Sequence, residues 1–411
     1  MNVNRRGGLA AATMKNERIR PLENESIRHD RQRRETIMLE AVSRREFIKT
    51  AATLATGCPT LLAADSANAT NPEQLVKTVA DAVLRDFRNT PRFNWGEGVM
   101  LAGMMQAYQL TRDRRYLNFV TDFANHWHRK GIGPTLEKRG YCGHWGPGLA
   151  LLMLHETTGD QPSLDLVNRI NDFMLHKAER TKDGGLSHFN GKPQLWVDTL
   201  DMCCPVLSHA ARVTNQLKLQ QEAIRQLEIF AKHLRDPATG LFYHMWDQQT
   251  GKHTPEFWAR GNGWVCMSYT EVLMNEKPDS PARTRLTEPF AKLLAAVAGL
   301  QDKTTGLWHT VLDAPDTYRE ASATAMFLYA MSQCRNRSLI EIPYHNTMAR
   351  AWAGLARTVD SKGRVTQVSA GTGPSDKAGY IAVKRGTYTW GTGAFLLAAV
   401  AYQETKLKRN S

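Results

Sequence analysis

From Asn71 onward, apolar positions recur at helical spacing, and the helices they predict are of two kinds. The stretch "NPEQLVKTVADAVLRDF" opens with Asn71, a good N-cap, and Pro72, suited to the first helical position. Leu75, Val76, Val79, Val83, Leu84 and Phe87 then fall on one stripe, which predicts an amphipathic helix. Further amphipathic segments include "YLNFVTDFANHWHRK", "LDLVNRINDFMLHK" and "LKLQQEAIRQLEIFAKHL". Alternating with them are segments rich in Gly, Ala, Leu and Met that carry little charge on any face. These begin at Gly96, Gly146, Asp198, Gly261, Ser322 and Gly391, with successive starts 50, 52, 63, 61 and 69 residues apart.

A helix without a polar face belongs inside, because leaving apolar surface in water costs roughly 25 cal/mol per Å². Its amphipathic partner belongs outside. Six such hairpins, none able to bury its own apolar face, predict an all-α fold: an (α/α)6 barrel with an inner and an outer ring over residues 70–411. An open superhelical array is the alternative, although tetratricopeptide-type repeats are shorter, at about 34 residues. Strand signals are confined to short pieces such as "GLFYHMW" and "RVTQV".

Composition and charge refine this picture. No apolar run approaches the roughly 18 residues of a membrane span. "SRREFIK" (Ser43 to Lys49) carries twin arginines, followed by a mildly apolar stretch and the small residues of "SANA". Residues 1–69 therefore read as a polar leader plus a twin-arginine export signal cleaved after Ala69, which predicts a periplasmic or secreted protein. Cys58 lacks the Leu three places earlier that a lipoprotein signal would have. Removing 12 Lys/Arg and 8 Asp/Glu with this leader lowers the formal charge from +13 to +9. The remaining basic residues are dispersed, which argues against nucleic acid and suits an anionic oligosaccharide partner, with a solvated basic surface as the plainer alternative. Cys142, Cys203, Cys204, Cys266 and Cys334 lie in no C-x-x-C spacing, so no disulfide framework is expected. No metal and no cofactor are expected either: zinc spacings are absent, and "GTG" at Gly371 to Gly373 lacks the strand and third glycine of a dinucleotide loop.

In a barrel of this kind the segments entering the inner helices converge at one end. Trp95, Trp145, Trp196, Trp264 and Trp390 lie at or just before such helix starts, as walls of an aromatic bowl or as core plugs. The same end collects Asp198, His144, Glu97 and Glu256. It also collects His244 and the "FWARGNGW" cluster with Trp258, Arg260 and Trp264. Arg260, followed by Gly-Asn-Gly, is placed either to grip a carboxylate bidentately or to pair with a structural acid. His188 and His244 are equally open to a structural reading.

The motifs "LWVDTLDM", "FWARGNGW", "YREASATAMFLYAMS" and "YTWGTGAFLLAA", in that order, resemble the unsaturated uronyl hydrolases, and most of all their unsaturated rhamnogalacturonyl hydrolase branch. The resemblance runs from about Asn71 to the C-terminus. It implies an (α/α)6 catalytic domain that needs no metal or organic cofactor; a monomer is expected, although the sequence does not reveal the oligomeric state. The expected substrates are oligosaccharides that a lyase has left with a C4=C5 double bond in the terminal uronic acid. It implies that a carboxylic acid, here Asp198, protonates C4, after which water adds at C5 and the hemiketal rearranges to release the next sugar. His188, His244, Trp258, Arg260 and Trp264 match positions expected to hold the uronate, with Trp95, His144, Trp145 and Trp390 around them.

Two points stay open at this level. The family's second acid should fall near "YCGHWGPG", where no acid is present and His144 stands instead. Asp198 lies where a helix cap would, and a cap lowers a carboxyl's pKa whereas a general acid needs it raised. An ordinary inverting glycosidase would require a second carboxylate roughly 6.5–9.5 Å from the first, with Glu97, Glu256 and Glu320 as candidates. A carbohydrate-binding protein that has lost activity is the remaining alternative.

Overall fold

The chain folds as outer and inner helices in alternation, and the inner ones are the segments without a polar face. The computed structural model describes residues 71–410 apart from 88 and 90. The twin-arginine signal and Cys58 lie outside the described residues. Outer α1 (Pro72–Asp86) pairs with inner α2 (Trp95–Thr111), and outer α3 (Arg114–Lys130) leads through the short α4 (Gly133–Glu137) to inner α5 (Gly148–Thr158). Three further outer–inner pairs follow: α6 (Gln161–His176) with α7 (Val197–Thr214), α8 (Leu217–Leu234) with α9 (Ala259–Met274), and α10 (Pro281–Gly299) with α11 (Ala321–Asn336). Outer α12 (His345–Ala356), the short α13 (Lys377–Ala382) and inner α14 (Thr389–Asn410) complete the set. Each inner helix packs on the next, and α14 returns to α2, closing the ring as an (α/α)6 barrel. None of these helices is long and apolar enough to cross a membrane.

The burial pattern follows the sequence period. In α3, Leu117, Val120, Phe123, Ala124 and Trp127 form the one buried stripe, whereas every residue of α9 from Ala259 to Leu273 is buried. Small residues let the inner helices approach. A Cβ on Gly98 would lie 2.6 Å from the backbone of Gly146, and one on Gly393 would strike the backbone of Val99. Asn71 caps α1 by accepting from the Glu73 N–H, and Pro72 occupies its first turn. The five cysteines of the described residues are buried and free.

Short antiparallel strands tie the inner-helix entrances together. Strands β1 (Gln194–Trp196), β2 (Met245–Asp247) and β3 (Lys252–His253) form a three-stranded sheet, with Trp196 opposite Met245. Strand β4 (Trp308–His309) pairs with β5 (Arg319–Glu320), and β6 (Val368–Ser369) with β7 (Arg385–Gly386). The two weak strand signals of the sequence thus fall on β2 and β6. Both pairings matter for the site described below.

Towards the opposite ends of the inner helices lies a buried ionic group. His209 of α7 places Nε2 2.8 Å from Glu271 of α9 and Nδ1 3.9 Å from Glu156 of α5, while Tyr329 of α11 donates to Glu271. Burial and the nearby Arg212 cation oppose protonation of His209, but the two carboxylates outweigh them and its pKa is pushed up to about 9. A histidine raised in this way stabilises the fold fully below its unfolded pKa of about 6.5 and loses that contribution as pH rises through about 9. The expected loss between those pH values is up to about 3 kcal/mol. Thermal melts of wild type and His209→Gln across this window should converge with rising pH. Parallel curves would show that the histidine is not held charged.

Candidate active site

Strand pairing and one helix start bring the central groups together. Helix α7 begins at Val197 with Trp196 at the N-cap, so Asp198 sits in the first turn rather than at the cap, and the capping reading is corrected. Because β1 lies against β2, the Val197 N–H donates to the His244 carbonyl at 3.0 Å. This register sets the His244 ring beside Asp198, with Nε2 3.0 Å from Oδ2. On its other side His244 Nδ1 lies 2.8 Å from the Tyr380 hydroxyl of α13. That hydroxyl accepts from the Ser375 N–H at 3.3 Å, which directs its own proton to Nδ1. Nε2 then carries the hydrogen and donates to Asp198. Trp258, buried, stacks on His244 with ring centroids 4.1 Å apart and fixes the plane of the imidazole.

Asp198 lines a cavity of about 240 Å³ with Trp95, Tyr141, His188, Trp196, Arg260 and the glycine-rich Gly371–Gly373. Among the described lining residues it is the one carboxylate. Its side chain keeps 20% of its surface exposed, whereas that of His244 keeps none. Burial pushes the Asp198 carboxyl up, but His244, through its electrostatic attraction and its hydrogen bond, outweighs it, with Arg260 adding to the same effect, and the group is held below the ordinary aspartate value. His188 stacks on Trp196 at 4.1 Å and directs Nδ1 to Cys142 Sγ and Thr199 Oγ1, each at 3.1 Å. Burial lowers its pKa to about 4, so at neutral pH it is an uncharged ring at the cavity wall.

Arg260 departs from the bidentate carboxylate clamp the sequence suggests. Nη1 donates to both the carbonyl and the hydroxyl of Ser369, and Nη2 donates to Ala370 O at 2.9 Å and Thr372 Oγ1 at 3.0 Å. Its four terminal N–H groups are thereby committed to the loop that follows β6, with the guanidinium held between Trp258 and Trp390 at 4.6 and 5.7 Å. The "GTG" segment, set aside as a nucleotide loop, is the rim that Arg260 fastens over the cavity.

The aromatic bowl also needs correction. Trp145 and Trp264 are fully buried, and Trp258 is 1% exposed. These three are enclosed rather than lining the cavity: Trp145 lies against Phe173 of α6, Trp264 meets the edge of Trp95, and Trp258 stacks on His244 and Tyr380. Trp95 and Trp196 are the tryptophans that line it, with Trp390 tilted against Trp95 at 4.6 Å between ring centroids. His144 lines a neighbouring cavity instead. Sequence reasoning missed Tyr380, Tyr141 and Phe189; nothing in "KAGY" marks a tyrosine that reaches 136 residues back to His244.

The two-carboxylate alternative loses its candidates. Glu320 is fully buried and accepts from Ser322 N and Oγ, Ala323 N and Ser369 N, as the cap of α11 and a second anchor of the rim loop. Glu97 pairs with Arg92 at 3.5 Å beside another cavity, and Glu256 lies outside the Asp198 lining. Among the described residues no group of three or more His, Cys, Asp or Glu converges to hold a metal.

Comparison with known proteins agrees with this architecture. The chain is 30% identical to an unsaturated rhamnogalacturonyl hydrolase of Bacillus subtilis, YesR, over 81% of its own length and 96% of the relative's. It is 28% identical to an unsaturated 3S-rhamnoglycuronyl hydrolase of Formosa agariphila, covering 74% and 83% of the two chains. A crystal structure of a possible member of glycoside hydrolase family 105 from Salmonella enterica superposes with a TM-score of 0.73 at 26% identity, over 81% of this chain and 93% of that one. The profile of Glycosyl Hydrolase Family 88 matches residues 68–406, the whole ring of hairpins with the Asp198 cavity at its mouth, and the chain therefore belongs to that family of glycoside hydrolases.

Proposed function

We propose that the protein releases the 4,5-unsaturated uronic acid from lyase-generated oligosaccharides of rhamnogalacturonan type, by hydration of the C4=C5 vinyl ether, with Asp198 as acid and base. The observation that carries this reading is the single carboxylate at the cavity, backed by the His244–Tyr380 pair. Hydration needs one group that can give a proton and take one back, and a second carboxylate across the bond is not required. Asp198 protonates C4, and positive charge develops at C5, shared with the ring oxygen. Water adds at C5 and returns a proton to Asp198. The hemiketal then opens and the next sugar leaves. Trp95 and Trp196 offer flat faces to the ring, and neutral His188 offers a hydrogen-bonding edge.

In the free protein Asp198 rests as a carboxylate. An anionic uronate entering the same small cavity disfavours a second negative charge and displaces water, and both effects drive Asp198 towards its protonated form. The substrate thus prepares its own acid. Export by the twin-arginine route, expected from residues 43–69, would bring the protein to such products in the periplasm.

Ultraviolet absorbance of the double bond, followed on a rhamnogalacturonan-derived unsaturated disaccharide, should disappear with wild type. Asp198→Asn should slow this by about 10²–10⁴-fold while sugar binding persists. Persistence of the absorbance with wild type would overturn the proposal. Tyr380→Phe removes the donor that sets the His244 tautomer, so the hydrogen bond lowering the Asp198 pKa weakens. The carboxyl pKa seen in the pH profile of kcat/KM should move up by about one unit, and an unmoved profile would count against the tautomer assignment. Arg260→Lys keeps the charge but loses the fork that holds the rim. KM is expected to rise about tenfold with a smaller change in kcat, the loss of one or two charged hydrogen bonds.

A further inference from the structure

A second cavity, of about 430 Å³, adjoins the first and shares Tyr141 and Phe189 with it. Its wall also contains Arg92, Lys138, Arg139 and His144, and it holds no carboxylate among the described lining residues. Arg92 reaches Glu97 at 3.5 Å with 84% of its side chain exposed, whereas no ion pair engages Lys138 or Arg139 among the described residues. Of the acids on the adjoining segments, Glu137 faces Lys177 at 3.6 Å and Glu179 accepts from Gly191 N. Burial and the charge of Lys138 push the His144 pKa down, so that ring adds no positive charge of its own, and its buried Nδ1 has no protein partner.

The rim of this cavity is built rather than incidental. Arg139 adopts a left-handed backbone at φ 60°, uncommon for a residue with a side chain. It is held there by the Asn190 N–H, which donates to its carbonyl at 2.8 Å, and by Gly140, where a Cβ would strike the Asn190 side chain. The result lays the guanidinium over Phe189 at 5.1 Å, and Phe189 in turn stacks on Tyr141 at 5.1 Å. A cation and two aromatic faces therefore stand side by side where the two cavities meet. The Asp198 cavity, at about 240 Å³, has room for about one sugar ring, so the remainder of an oligosaccharide must leave across the Tyr141–Phe189 edge.

We propose that this second cavity is a subsite for an anionic group carried on the leaving side of the substrate, a carboxylate of a further acidic sugar or a sulfate ester. Arg139 and Lys138 supply the charge, and Tyr141 and Phe189 the ring-stacking face. The chain carries no acid between Tyr141 and Gly148, where a carboxylate would repel such a ligand. The proposal rests on the function proposed above and adds a preference for charged leaving groups to it.

The test compares kcat/KM for three substrates: an unsaturated uronyl–rhamnose disaccharide, the tetrasaccharide that repeats this unit and so carries a second carboxylate, and the disaccharide bearing a sulfate ester on the rhamnose. Arg139→Ala is expected to lower kcat/KM about 5- to 20-fold, through KM, on the tetrasaccharide or on the sulfated disaccharide. The one affected identifies the source of the charge. The neutral-leaving disaccharide should stay within about twofold, and the preference should shrink as salt is raised. Arg139→Gly, which suits the left-handed backbone, should repeat the result if Ala perturbs folding. Equal losses on all three substrates, or no loss on either anionic one, would overturn the subsite. Binding of the tetrasaccharide to Asp198→Asn, with and without Arg139→Ala, reads the subsite without turnover. A protein that binds through Arg139 yet consumes no double bond would refute the proposed function and leave the subsite standing.

Discussion

Six helices that cannot face water set the terms for everything else in this protein. With α9 buried along nearly its whole length and α11 almost equally so, the inner segments are stable only when each has an inner neighbour on both sides and an amphipathic helix outside. A ring is the arrangement that leaves none of them at an edge. Closure requires close approach, which is why Gly98 and Gly393 stand where a side chain would collide with a neighbouring backbone. Towards the ends of the inner helices opposite the cavity, ionic groups satisfy one another, as His209 does with Glu156 and Glu271. The polar groups of the cavity collect where chain enters the inner helices.

At that entrance, small strand pairings determine which groups meet. The β1–β2 register delivers His244 to Asp198, and the rim after β6 is fastened by Arg260 from one side and Glu320 from the other. Arg260 and Glu320, both conspicuous charged candidates for direct chemistry, position backbone instead. The consequence is a cavity with one carboxylate among its described lining residues, an arrangement that suits addition of water to an activated double bond better than displacement between two acids. Next to it, the wall of the adjoining cavity around Arg139 carries cationic side chains and, among its described lining residues, no carboxylate.

How far these features were legible in the chain depended on their range. The alternation of amphipathic and apolar helices, the cap at Asn71 and the closed six-hairpin ring all follow from local periodicity and the cost of exposed apolar surface. The importance of the Asp198 region was legible through the motif it sits in. The tryptophans were legible as a group but not one by one: Trp95 and Trp196 face the cavity while Trp145 and Trp264 are buried in the core, because the facing of each indole is set by the neighbours that ring closure brings to its entrance segment.

Periodicity and composition are local properties summed along the chain, so they sufficed for the fold class and for where polar groups would gather. Hydrogen-bond partners are not local. Whether Asp198 caps a helix or faces His244, whether Arg260 holds ligand or loop, and whether Tyr380 takes part at all depend on contacts across 46, 109 and 136 residues. Those contacts exist only once the ring has closed, because closure is what brings the six helix entrances within hydrogen-bonding distance of one another.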